Sequence, residues 1–338
     1  MPPIRQTATA ETTPLPLFAI PIIDIAAYLS PSPSPSPTAT ASLASSIRAA
    51  ATSPGFFQIT GHGISPALRD RLFGALKAFF ALPQAAKAAL HRDNSPCLRG
   101  YEAVGDQVLE EGLPDRKEGF MIGQELVGTG EDGLGGLRFG QGANQWPGED
   151  EGWCPGGFKA VMMEYFEAVR LLSRSVFRLV ALSLELEEGF FDRFVYGRDA
   201  ITMCRVLRYP PSNTTGRGPT DTKPRGIGAH TDFGALTLLL QDDVGGLEVF
   251  YRPSETWHAI QPVPDAFVVN IGDMMGEFHC YLVPACPNRQ QHQVPFAHKA
   301  EKERWTNDKY TSTLHRALSP VSGKDRYSVA FFNEGLLD

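Results

Sequence analysis

The chain has 338 residues, 42% hydrophobic and 20% charged, a make-up that supports one large globular domain or two ordinary ones. A formal charge of -7 and a pI near 5.7 leave no basic surplus for phosphates or an anionic bilayer, which excludes nucleic acid and membrane as expected partners and leaves a small-molecule substrate. Five cysteines (Cys97, Cys154, Cys204, Cys280 and Cys286) are scattered without a C-x-x-C pair, and Met1-Pro-Pro-Ile-Arg5 does not open a secretory signal. Both features predict a reducing, cytoplasmic location.

After a disordered amino-terminus over 1–19, an α/β region is expected over 20–200. It begins with a strand at Ile20–Asp24, a Ser-Pro tract over 30–37 that reads as a flexible loop, and a helix at 41–51. A strand at Gly55–Thr60, a helix at Pro66–Phe80 and a Gly-rich loop over 128–142 follow. The stretch Tyr165–Leu186 sets Arg170, Arg174 and Arg178 opposite Val169, Leu172, Val176 and Leu179, the pattern of an amphipathic helix whose arginines form a solvated face. From 201 onward, short apolar and β-branched runs recur at Ile201–Tyr209, Ala235–Leu240, Leu247–Tyr251, Ala266–Ile271, Thr311–Leu318 and Tyr327–Phe332. Gly, Pro or Asp separates most of them, which predicts a sandwich or jelly roll over 201–338.

The strongest chemical signal is His230-Thr-Asp232. Read as the start of a strand, it projects an imidazole and a carboxylate from one face toward a single metal ion. His315, in Ser312-Thr-Leu-His-Arg316, would complete two histidines and one carboxylate, the set that leaves positions open on non-haem iron(II). An H-x-D pair alone is common by chance, but Arg326-Tyr-Ser328 adds two polar groups on one strand face inside an apolar run, and a buried arginine demands an anion.

The runs Gly226-Ile-Gly-Ala-His-Thr-Asp-Phe-Gly234, Asn270-Ile-Gly-Asp273, Trp305-Thr-Asn-Asp308 through Arg316, and Arg326-Tyr-Ser328 resemble the iron(II)/2-oxoglutarate dioxygenases of the isopenicillin N synthase-like group. In the amino-terminal part, Gly55-Phe-Phe-Gln-Ile-Thr-Gly-His-Gly63, Arg99-Gly-Tyr101, Asp115-Arg-Lys-Glu118 and Asn144-Gln-Trp-Pro147 match that group in order. The resemblance implies a double-stranded β-helix with flanking helices and an amino-terminal α/β extension. It implies that His230, Asp232 and His315 bind Fe(II), that Arg326 and Ser328 bind the distal carboxylate of 2-oxoglutarate, and that Tyr209 adds a phenol. The implied enzyme consumes 2-oxoglutarate and O2, releases succinate and CO2, and hydroxylates or desaturates a metabolite, with secondary metabolism as the favoured setting. Leu207 stands where many relatives carry Asn. Phe120, Phe233 and Phe332 are apolar candidates for the pocket.

Two rivals differ in chemistry: an iron oxidase of the same fold that does not use 2-oxoglutarate, and a non-catalytic jelly-roll binding protein. The resembling proteins also usually run Gly-Asp straight into Trp-Thr-Asn, whereas residues 276–302 intervene here, and they usually continue beyond the point where this chain stops. The segment holds His279, His292, His298, Cys280 and Cys286 in no zinc pattern and shows no helical or alternating periodicity. Its removal joins Met275 to Glu303 and restores the uninterrupted run. Gly276-Glu-Phe278 can be encoded with the splice-donor string GTGAGT, and Lys302-Glu303 with an acceptor AG in the same phase. A translated intron is therefore the expectation, with a surface insertion as the alternative.

Overall fold

The computed structural model describes residues 18–30, 36–109, 112–126, 140–148, 156–197, 200–212, 225–276 and 309–335, with isolated positions between them. The expectations for residues 1–17, for most of the Gly-rich passage and for 277–302, including its three histidines and two cysteines, lie outside the described residues, as does Trp305.

Strand β1 (Ile22–Asp24) leads through a short helix α1 (Ala26–Leu29) to α2 (Pro37–Thr52). Helix α2 starts earlier than its apolar spacing suggests because the end of the Ser-Pro tract caps it: Ser36 Oγ accepts from the Ala39 amide at 3.2 Å, and Pro37 occupies the first turn. The next elements are β2 (Phe56–Thr60), α3 (Pro66–Phe80), capped in the same way by Ser65, α4 (Gln84–Ala88), β3 (Gly100–Glu102) and β4 (Glu118–Gly123). Helix α5 (Phe158–Ser183) buries Val169, Leu172, Val176 and Leu179. Each such side chain contributes about 1.5–3 kcal/mol of transfer free energy.

The arginine stripe of α5 is not simply solvated. Arg174 and Arg178 bind Asp192 at the start of α6 (Asp192–Val195) at 2.6 and 2.8 Å, and Arg170 and Arg174 lie over the Tyr196 ring. The stripe docks the segment that follows the helix.

The carboxy-terminal half supplies β5 (Ile201–Tyr209), β6 (Arg225–His230), β7 (Leu236–Gln241), β8 (Leu247–Tyr251), β9 (Thr256–Ala259), β10 (Phe267–Ile271), the short helix α7 (Asp273–Gly276), β11 (His315–Leu318) and β12 (Arg326–Gly335). Two sheets form the jelly roll. The larger runs β1-β2-β10-β7-β12-β5-β4-β3 and the smaller β6-β11-β8-β9. Strands of the 20–200 region thus extend both edges of the larger sheet. The main core lies where the helices pack on that sheet, around Phe79, Phe158, Phe166 and Phe331. The opposite face of the sheet looks toward the smaller sheet and carries the polar side chains described next.

Candidate active site

His230 is the last residue of β6, and Asp232 lies in the turn that leads to β7. Their shared orientation comes from that turn rather than from alternation along one strand, which corrects the reading of His230 as the start of a strand. His315 opens β11 and pairs with His230 across the smaller sheet. The histidine nitrogens and a carboxylate oxygen lie within 4.8 Å of one another. Asp232 Oδ1 is 3.6 Å from His230 Nε2 and 3.7 Å from His315 Nε2.

The surrounding hydrogen bonds fix which atoms face inward. His230 Nδ1 is 2.8 Å from the Gly228 carbonyl and His315 Nδ1 is 3.0 Å from the Thr313 carbonyl, so each ring donates from Nδ1 and keeps the Nε2 lone pair free. Asp232 Oδ2 accepts from Thr237 Oγ1 at 2.6 Å and from Asn270 Nδ2 at 2.7 Å, which leaves Oδ1 for an ion. Burial, then the neighbouring His315, lowers the His230 pKa to about 4, so the ring is neutral at physiological pH. Burial pushes the Asp232 carboxyl up, but His315, His230 and the two hydrogen bonds outweigh it and hold the group below its ordinary value. The neutral His230, the inward Nε2 of His315 and an ionised carboxylate fit a divalent cation of the iron(II) type.

Beside this set is a cavity between the two sheets. On β12, Arg326, Ser328, Ala330 and Phe332 alternate into it, and on β5 so do Arg205, Leu207 and Tyr209. Arg326 is 1% exposed, yet its guanidinium donates only to neutral groups, to Ser328 Oγ at 3.3 Å and Gln241 Oε1 at 3.1 Å, and its Nε has no partner. Its cation lies 4.6 Å from the centre of the Tyr209 ring. Gly226 is what admits that ring: a Cβ there would stand 2.7 Å from Tyr209 Cδ1. Among the described residues no carboxylate bonds to this buried cation, although Asp242 is near enough to feel its charge, so it could receive a carboxylate.

All six residues expected at the site therefore converge on one cavity. Of the three phenylalanines, only Phe332 lines it. Phe120 is buried in the core against Phe79 and Phe158, and Phe233 is 45% exposed and outside the lining. Sequence reasoning missed Thr237, Asn270, Gln241, Arg205 and Gln107. Asn270 stands in the Asn270-Ile-Gly-Asp273 run, and Arg205 is reached by stepping back along β5 from Tyr209 in twos.

A jelly roll with two histidines and a carboxylate set beside a buried arginine defines the class of non-haem iron oxygenases. The chain belongs to the 2-oxoglutarate–Fe(II) oxygenase superfamily, in its isopenicillin N synthase-like group: residues 201–335 match that superfamily's model, and residues 20–149 match the amino-terminal model of the non-haem dioxygenase in morphine synthesis. Among curated proteins it is 38% identical over 320 residues to the 2-oxoglutarate-Fe(II) type oxidoreductase hxnY of Emericella nidulans, covering 94% of this chain and 80% of that one. It is also 38% identical over 324 residues to the 2-oxoglutarate-dependent dioxygenase citB of Monascus ruber, covering 95% and 86%. Among solved structures it resembles full-length Neurospora crassa T7H in complex with alpha-KG, with 27% identity, a TM-score of 0.70 and coverage of 94% and 85%. The same protein has been solved with alpha-KG and thymine, at 26% identity and a TM-score of 0.70, covering 94% and 86%. The chain is an iron(II)- and 2-oxoglutarate-dependent dioxygenase with O2 as co-substrate. No helix among the described residues is long and apolar enough to cross a membrane.

Proposed function

We propose that His230, Asp232 and His315 bind the catalytic iron and that Arg326, Ser328 and Tyr209 hold the distal carboxylate of 2-oxoglutarate, in an enzyme that hydroxylates or desaturates a small metabolite. The observation that carries this reading is the buried Arg326, which lacks a carboxylate partner in the same cavity as the three candidate ligands. That observation also favours use of 2-oxoglutarate over an oxidase that dispenses with it. Bound iron supplies the activation of dioxygen. The protein's own part is to present Nε2, Nε2 and Oδ1 to one point, to neutralise the keto acid's far end and to line the cavity with Leu207, Ile227, Leu239 and Leu247, which keep water out. The thymine complex of T7H supports a small molecule as substrate. Cys97 and Cys204, which form no disulfide among the described residues, support the cytosol as its compartment.

The test is anaerobic addition of iron(II) and 2-oxoglutarate. Chelation of the metal by the keto acid is expected to give a weak visible charge-transfer band, which Asp232→Ala abolishes. A band that survives both Asp232→Ala and His315→Ala would show that the ligands are misassigned.

A further inference from the structure

We propose that the primary substrate is a carboxylate with an apolar body, and that Arg205 and Gln107 receive its charged group while its reacting carbon faces His230, Asp232 and His315. This rests on the reading of the site just given and adds the substrate class. The cavity has two arginines on one wall. Arg326 pairs with Tyr209 across β12 and β5, and Ala330 pairs with Arg205 on the same face. The two cations are thus four residues apart along the strand, roughly 13 Å at ~3.3 Å per residue. A five-carbon diacid that extends from Arg326 to the metal occupies only the first of them.

Arg205 also has donors to spare. Its hydrogen bonds to Glu102 and to Gln107 Oε1, the latter at 2.5 Å, both leave from Nη2. Glu102 cannot neutralise it alone, because the same carboxylate binds Lys117 and, at 2.5 Å, Arg92. The next carboxylate along, Asp115, is shared with Arg225 at 3.5 Å. Among the described residues, three cations, Arg205, Lys117 and Arg92, therefore share the one carboxylate of Glu102. Burial, followed by the nearby Arg205, lowers the Lys117 pKa to about 8, in keeping with that excess of positive charge. A tie between β5 and β3 would need only Glu102 and one cation. An excess of positive charge in a partly enclosed apolar cavity focuses its field on an incoming anion. The Gln107 amide, whose oxygen is taken by Arg205, offers its nitrogen as a second donor, and Phe332 and Ala330 provide an apolar wall beside them.

The experiment uses the full chain loaded with manganese(II), which occupies such a site without turnover, and saturated with 2-oxoglutarate. Calorimetry then measures binding of benzoate, cinnamate and 3-phenylpropanoate against their primary amides. The expected result is acids bound about ten-fold more tightly than amides, the worth of one charge-assisted hydrogen-bonded pair. Arg205→Gln removes that preference, Arg205→Lys keeps part of it, and Gln107→Glu weakens the acids alone. The 2-oxoglutarate affinity of each variant stays within about two-fold of wild type. If Arg205→Gln does not fold, Gln107→Glu carries the comparison. Amides that bind as well as acids, no binding by any acid, or a preference that survives both Arg205→Gln and Gln107→Glu overturns the proposal. Failure of the wild-type protein to bind 2-oxoglutarate, measured before any acid is added, overturns the reading beneath it and is seen separately.

Discussion

His315, the first residue of β11, stands directly opposite His230, the last residue of β6, with ring centroids 4.3 Å apart. Two imidazoles so close, each donating from Nδ1 to a backbone carbonyl, turn their Nε2 atoms toward one point and can share one ion. Anaerobic iron(II) or manganese(II) is expected to raise the melting temperature of the wild-type chain, by the equivalent of ~2.7 kcal/mol at a hundred-fold excess over Kd. His315→Ala and Asp232→Ala should show no such rise. A full metal-dependent shift in either variant would contradict the ligand assignment.

Asn270 touches no metal in this reading, yet it holds the Asp232 oxygen that faces away from the ion. Asn270→Ala is expected to weaken metal binding about 10–100-fold while leaving a folded protein. Competition against a fluorescent chelator measures this, and unchanged affinity would reduce Asn270 to a strand residue of the core.

Arg326→Ala removes a buried cation but no ligand. It should weaken 2-oxoglutarate binding by ~3–5 kcal/mol, with metal affinity retained. Arg326→Lys should recover part, since a point charge replaces a planar fork. An unchanged apparent affinity for 2-oxoglutarate would show that a group other than Arg326 receives its distal carboxylate.

His62 is a satisfied core histidine: its Nδ1 accepts from the Ile64 amide at 3.1 Å and its Nε2 lies 3.1 Å from the Asp265 carbonyl. Burial, then the charge of Arg69, holds its pKa below the ordinary 6.5. The unfolded chain therefore binds the proton more readily, and stability should fall as pH drops below about 6.5. Urea melts at pH 7.5 and 5.5 should show that loss, and His62→Gln should flatten it. A difference between the two pH values that His62→Gln leaves unchanged would rule out a neutral His62 as its source.

The described chain that precedes and the described chain that follows the segment 276–302 are both anchored. Met275 is fully buried; Tyr310 OH is 2.6 Å from Ser183 Oγ, and the Thr311 amide donates to Ala51 at 2.9 Å. The transcript is expected to join the codon of Met275 to that of Glu303, and the chain lacking 276–302 is expected to bind iron(II) and 2-oxoglutarate more tightly than the undeleted chain. Retention of those codons in the transcript, together with full turnover by the undeleted chain, would show a genuine insertion.

Much of this was legible in the sequence. The helix at Pro66–Phe80 and the strands at Ile201–Tyr209 and Leu247–Tyr251 carry local patterns strong enough to set their own limits. His230, Asp232, His315 and Arg326 stood out because such groups are costly to bury without a purpose. What escaped has a common physical cause. Strands β3, β4 and β6 contain Glu102, Glu118, Gly119 and Gly226, which look like loop residues until distant partners neutralise the charges and the distant side chains of Leu207 and Tyr209 fill the space beside the glycines. Arg205 was hidden for the same reason, since its meaning depends on Glu102 and Lys117 from another edge of the sheet.

Gly272 has a further consequence. A Cβ there would stand 2.1 Å from the Gly234 carbonyl, and the Asp273 amide donates to the Asp232 carbonyl at 2.8 Å, so the turn that bears the carboxylate is clasped by the end of β10 before any ion arrives. Because these contacts involve backbone alone, loss of the ion should leave the turn in place. Exchange of the ion should be governed by how fast it leaves rather than by how long the protein takes to assemble a receptor. An enzyme whose iron has been oxidised and lost would persist as a folded reserve, ready to be recharged when ferrous iron returns.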